Sequence, residues 1–127
     1  MDTRATLRSS QAMAQAIVFF DIAGPDDKAL RNFYYSVFGW EFDQAGQFGV
    51  PVTAPLKGAI RKDPAEQRIY MGVPDVSATL SLIGQSGGTV DVSRFEVPGV
   101  VVLGLFRDPA GNPMGLVEMD GDSQRVP

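Results

Sequence analysis

Two stretches of the chain run from an aspartate to a glycine over the same thirteen steps, Asp26 to Gly39 and Asp75 to Gly88. In each, the aspartate stands where a helix N-cap belongs, because its side chain can accept a backbone N–H left unpaired in the first turn. The glycine stands where a helix ends in a left-handed residue. Between them the apolar residues recur at helical spacing: Ala29, Leu30, Phe33, Tyr34, Val37 and Phe38 in the first stretch, Val76, Leu80 and Ile83 in the second. A short apolar run precedes each helix, AIVFFDI before Asp26 and RIYMGV before Asp75, and each reads as a strand.

Extended text follows each helix. After Gly39 come Trp40 and Phe42, then the Gly- and Pro-punctuated stretches QFGVPVTAP and LKGAIRK, which suit short strands joined by turns. After Gly87-Gly88 come Thr89, Val90 and Val92, the apolar run VVVLGLF, the Asp108-Pro109-Ala110-Gly111-Asn112 turn and the final strand MGLVEM. Sequence identity between the halves is slight, so the repeat is one of pattern, and a duplicated strand-helix-strands unit accounts for it. The expected fold is α+β: two βαβββ modules forming a cupped mixed sheet around a central cavity, with helices outside. The expected boundaries are an N-terminal arm at 1–15, module one at about 16–64, module two at about 65–119 and a C-terminal tail at 120–127.

Composition narrows the chemistry. The chain of 127 residues contains no cysteine and no histidine, which removes disulfides, thiol nucleophiles and the commonest metal ligand. Any catalysis falls to carboxylates, tyrosines, lysines, arginines or backbone groups. A net charge of -4 with no run of Lys or Arg suits no phosphate backbone, so no nucleic acid is expected as a partner. No apolar stretch reaches the ~20 residues that cross a bilayer. The first fifteen residues lack the continuous apolar run of a secretory signal. No membrane partner is therefore expected, and the default location is cytoplasmic.

With these residues in view, the chain resembles the vicinal oxygen chelate superfamily, which includes glyoxalase I, bleomycin-resistance proteins and extradiol dioxygenases. The resemblance is carried by FFDI, Asp26 and FYYSVFGWEF in the first half. In the second half it is carried by YMGVPDV, SGGTV, the Glu96-Val97-Pro98-Gly99 turn and FRDPAGNPMGLVE. It covers about residues 16–119. It implies paired βαβββ modules and, in metal-dependent members, ligands from the first and last strands of each module. The matching positions here are Phe19, Arg68, Gly115 and one near Gly58 or Ala59. None carries a carboxylate or an imidazole, so the resemblance comes without its metal, and no cofactor is expected.

Strand parity sorts the remaining candidates, since side chains alternate faces. If Phe20 and Ile22 pack under the first helix, Phe19 and Asp21 look into the cavity. If Ile69, Met71 and Val73 pack under the second, Arg68 and Tyr70 look inward, with Gly115 and Val117 on the same face of the last strand. Glu118, three residues from Gly115, falls on the opposite face. The candidate ligand-binding residues are thus Phe19, Asp21, Arg68, Tyr70 and Val117. Each has a plainer reading: Asp21 as an ion-paired structural acid, Arg68 as its salt-bridge partner or an exposed edge residue, Tyr70 as a phenol bonded to backbone, and Phe19 as core or wall.

Three functions stay open on the sequence. One is a small-molecule-binding protein for an apolar or aromatic ligand, as the resemblance to bleomycin-resistance proteins implies, acting as a homodimer. Another is a cofactor-free isomerase, lyase or cyclase with Asp21 as base and Arg68 and Tyr70 as oxyanion donors. The last is a dimeric regulatory or interaction module without a ligand.

Overall fold

A computed structural model describes residues 15–127. The arm expected at 1–15 lies outside the described residues except for Gln15. The elements are α1 (Asp27–Phe38), β1 (Ile69–Val73), α2 (Val76–Gln85), β2 (Thr89–Val97), β3 (Val101–Arg107), β4 (Pro113–Asp120) and β5 (Ser123–Gln124). The sheet runs β1-β4-β3-β2, with β5 attached to β4. β1 lies parallel to β4, while β4 to β3 and β3 to β2 are antiparallel. The α+β class is as the pattern predicts.

Both helices are capped as their sequences require. Asp26 accepts from the Ala29 N–H at 3.0 Å and Asp75 from the Ala78 N–H at 2.9 Å, each quieting an orphan donor of the first turn. Gly39 closes α1 at φ 72°, donating to Tyr35 O at 2.9 Å. The two helices share one core on one face of the sheet. Leu30, Phe33 and Tyr34 from α1 join Val76, Leu80 and Ile83 from α2 over Val73, Phe106, Met114 and Leu116. Gly104 has no side chain, which lets Val76 and Leu80 press onto β3; a Cβ there would stand 2.7 Å from Val76 Cγ1. Ile69 and Met71 pack against the same core, so the odd-numbered residues of β1 face the helices.

The halves differ in how far they form sheet. In the second, every expected strand is present. In the first, the strands expected at AIVFFDI, at Trp40 and Phe42, in QFGVPVTAP and in LKGAIRK form no ladder. Burial nonetheless alternates there: Phe20, Ile22, Trp40, Phe42, Phe48 and Val50 are half-buried, while Asp21, Glu41, Gln47 and Gly49 are exposed. The half-buried rings pack on α1: Trp40 stacks on Tyr34 at 5.0 Å and on Phe48 at 5.3 Å, and Phe20 meets Phe48 edge-on at 5.6 Å. The side chains thus keep a strand's period without its hydrogen bonds. Pro51 and Pro55 lack the N–H a ladder needs, and residues 51–60 are exposed throughout.

The halves are joined at the DPAGN turn. Asp108, 2% exposed, accepts from the Tyr34 hydroxyl at 2.8 Å, the Asn112 side-chain amide at 2.8 Å and the backbone N–H groups of Ala110 and Asn112. Burial, and then the Asp108 carboxylate, hold the Tyr34 phenol protonated far above its usual range. Asn112 also donates to Ala23 O at 3.0 Å, which fixes the end of the first expected strand. The tail expected at 120–127 turns at Gly121, adds β5 to the edge of β4, and returns so that the Gly99 N–H donates to Pro127 O at 3.1 Å.

Candidate functional site: the open face of the sheet

The face of the sheet away from the helices is built by the alternate residues. Direct cross-strand partners share a face. Tyr70 lies opposite Gly115, which lies opposite Leu105, which lies opposite Val92. One rung on, Gly72, Val117, Leu103 and Phe95 form the next row. Tyr70 is 44% exposed and Val92 41%, and Leu103, Leu105, Phe95 and Val117 are half-buried. The result is an apolar surface with one phenol.

Tyr70 does not stand away from this surface. A Cβ at Gly115 would lie 2.4 Å from Tyr70 Cδ2 and Cε2, so the ring rests on the bare glycine backbone. The same device recurs beside it, where a Cβ at Gly72 would lie 2.8 Å from Met119 Cγ and 3.1 Å from its sulfur. Two glycines therefore let two long side chains lie down along the β1–β4 seam.

The candidate residues divide into two groups. Tyr70 and Val117 come together on this face. Arg68 shares their strand parity, but its guanidinium is drawn aside: it donates to Met114 O at 2.7 Å and to both Glu66 oxygens at 3.2 and 3.3 Å, leaving its side chain 9% exposed. Phe19 is 74% exposed and Asp21 is exposed. Among the described residues, no ion pair or hydrogen bond joins Asp21 to Arg68; the partner of Arg68 is Glu66. Glu66 also pairs with Arg61, so residues 61–68 are tied to β4 by a chain of alternating charges. Both arginines hold the Glu66 carboxyl below its usual range, Arg68 most strongly.

The metal positions implied by the resemblance do not fit an ion. Divalent ions take nitrogen, thiolate or carboxylate donors, whereas Phe19, Gly115 and Gly58 or Ala59 offer no donor side chain. Arg68 presents a cation. The volume that a side chain at 115 would need is filled by the Tyr70 ring. Among the described residues no cluster of three or more His, Cys, Asp or Glu is placed to hold an ion.

Glu118 lies on the helix-covered side, and its buried carboxylate (5% exposed) is a junction. It accepts from the Val76 N–H at 3.0 Å, from Arg94 through Nε at 3.1 Å and a terminal nitrogen at 2.9 Å, and from Arg125 Nε at 3.0 Å. The Arg94 hydrogen bonds, then the Val76 N–H, pull its pKa down to about 2. Sequence reasoning placed Glu118 on this face and missed its partners. The charge at Arg94 and Arg125 was visible, but Arg94 lies within the second of two register shifts in β2, which no periodicity reveals.

Two clefts lie elsewhere. One of about 410 Å³ is lined by Arg31, Asn32, Tyr35, Glu41, Phe42 and Asp43 beside α1. The other, about 210 Å³, lies between α2 and β2 at Ser77, Leu80, Ser81, Val90, Ser93 and Arg94.

A helix-backed mixed sheet with an open apolar face and parallel β1–β4 pairing defines a glyoxalase-like fold, and solved structures agree. A glyoxalase-related enzyme from Fulvimarina pelagi superposes with a TM-score of 0.63 at 15% identity, covering 84% of this chain and 89% of that one. A lactoylglutathione lyase from Agrobacterium tumefaciens gives 0.55 at 20% identity, covering 83% and 94%. In sequence, the chain is 29% identical over 111 residues to the mycobacterial protein named "Putative glyoxylase CFP32", from Mycobacterium bovis and Mycobacterium tuberculosis. That alignment covers 76% of this chain and 42% of the relative, so the chain spans well under half the length of the proteins it matches. No family model matches it. The sequence match and the shared fold together support a relationship to the vicinal oxygen chelate superfamily.

Proposed function

We propose that the chain is a metal-independent small-molecule-binding protein of the glyoxalase and bleomycin-resistance type. Its ligand is small and apolar or aromatic, and the protein works as a cytoplasmic homodimer. One observation carries the reading: a half-exposed Tyr70 ring laid on Gly115, at the position of the family's metal ligand, within the apolar face of Val117, Leu103 and Leu105. Binding sites of this kind are mostly apolar with a few polar groups, and the phenol supplies one. A homodimer is supported by the apolar side chains that the first expected strand leaves in solvent, Ile17 at 78%, Val18 at 89% and Phe19 at 74% exposure. No helix among the described residues is long and apolar enough to cross a membrane.

The enzymatic alternative places Asp21 as a base with Arg68 and Tyr70 as oxyanion donors. It has less support. Asp21 is exposed, whereas a cavity base gains strength from desolvation, and three Arg68 nitrogens already donate within the chain.

A thermal-shift screen of aromatic metabolites and antibiotics, run with elemental analysis of the purified protein, tests the proposal. The expected outcome is stabilisation by at least one planar apolar compound with no stoichiometric divalent ion. A bound ion at one per chain, or turnover abolished by Asp21→Asn, would overturn it.

A further inference from the structure

Resting on the ligand reading above, we propose that Met119 is a specificity-determining residue. Its thioether extends the Tyr70 ring into one flat shelf that selects planar aromatic ligands over saturated ones of similar size. The parallel register sets Tyr70 against Gly115 and Gly72 against Val117, adjacent rungs on the same face and roughly 7 Å apart along the strands. On one rung the ring from β1 lies over the β4 glycine. On the next the Met119 side chain, from β4, lies over the β1 glycine, its methyl carbon 3.7 Å from where a Cβ would be. Neither side chain can lie flat over a residue with a Cβ, so the two glycines set the height of the shelf.

The chemistry of the shelf is narrow. A phenol ring offers its face to stacking, and a polarizable thioether favours aromatic edges over aliphatic carbon. The flanking side chains, Val117, Leu103 and Leu105, are aliphatic. The guanidinium of Arg68, two residues before Tyr70, is engaged by Glu66 and Met114 O. Charge therefore contributes little to recognition here, and ring planarity contributes most.

Met119 has a second constraint. It pairs with Gln124 in the β4–β5 hairpin, and the tail beyond is held as Arg125 donates from its backbone to Glu118 O at 2.9 Å and from its side chain to the Glu118 carboxylate at 3.0 Å. The hairpin fixes the backbone from which the thioether projects, and Gly72 gives the side chain its floor.

The test uses the full chain and two probes, 2-naphthol and its saturated analogue decahydro-2-naphthol, with binding followed by naphthol fluorescence and by calorimetry. The wild-type protein is expected to prefer 2-naphthol by about tenfold. Met119→Ala and Gly72→Ala should each erase most of that preference, while Met119→Leu, which keeps bulk without sulfur, should lose only part. Gly72→Ala meets the Met119 side chain, 2.8 Å from its Cγ, and no core residue, so the thioether must swing off its floor, and circular dichroism verifies the fold; Met119→Ala tests the same point without adding a side chain. Retention of the full preference in both Met119→Ala and Gly72→Ala overturns the assignment of Met119 and leaves the ligand reading standing. Failure of the wild-type protein to bind either probe at millimolar concentration overturns both.

Discussion

The two halves of the chain carry nearly the same side-chain pattern and reach different degrees of order. Each has a capped amphipathic helix flanked by segments that alternate in burial. Only the second closes that alternation into a sheet, with β1, β4, β3 and β2 hydrogen-bonded in that order. The first half attaches through α1, whose Leu30, Phe33 and Tyr34 enter the core built on the second half's sheet, through Asn112 to Ala23, and through an aromatic cluster around Trp40. Side-chain periodicity is thus enough to place a segment against a helix. Backbone pairing needs more: uninterrupted N–H donors on neighbouring segments, which VVVLGLF and MGLVEM have and QFGVPVTAP lacks.

If the second half supplies most of the fold's stability, truncating its most buried ring should be far costlier than truncating an apolar residue of the first half's extended text. Phe106→Ala removes a side chain with no exposed surface and is expected to cost roughly 3–5 kcal/mol in urea unfolding. Ile60→Ala should change stability by less than about 0.5 kcal/mol. Comparable losses would show that residues 51–60 are covered in solution, and the contrast between halves would break.

Glu118→Ala, which strands Arg94 and Arg125 and leaves the Val76 N–H of α2 without its acceptor, comes next at about 2–3 kcal/mol. The same group gives the second half an acid signature. Its folded pKa, about 2, lies below the ordinary glutamate value of 4.5, so its contribution is complete above about pH 4.5 and is lost as pH falls towards 2. Thermal melts of the wild type should drop through that window, and Glu118→Gln should flatten that part of the profile. An unchanged profile would mean that the junction is open in solution.

Tyr34→Phe is the finest probe, because it deletes the hydroxyl that links α1 to Asp108 and leaves the ring. About 1 kcal/mol is expected, seen as faster hydrogen exchange in α1 with the β3 and β4 amides little changed. Equal acceleration in both would show that the halves unfold as one unit, sharpening the comparison in the other direction.

Much of the second half was legible from residues alone. Asp75, the Val76–Leu80–Ile83 stripe and the DPAGN turn each have a local cause, and parity correctly set Tyr70, Gly115 and Val117 apart from Met114, Leu116 and Glu118. What escaped was mostly non-local. The absent ladder of the first half depends on which segments meet. The engagement of Arg68 by Glu66, two residues away, competes with any ligand role and leaves no trace in a periodic pattern. Asp108 was legible as a turn residue, but its bond to Tyr34, 74 positions distant, was not.

Trp40 is the chain's single tryptophan, and it lies wholly within the cluster that docks the first half, stacked between Tyr34 and Phe48. Its emission colour consequently monitors that docking, while far-ultraviolet ellipticity reports both helices and the sheet together. The molecule carries its own two-channel optical readout, one channel for the docking of the first half and one for the fold as a whole, without a label.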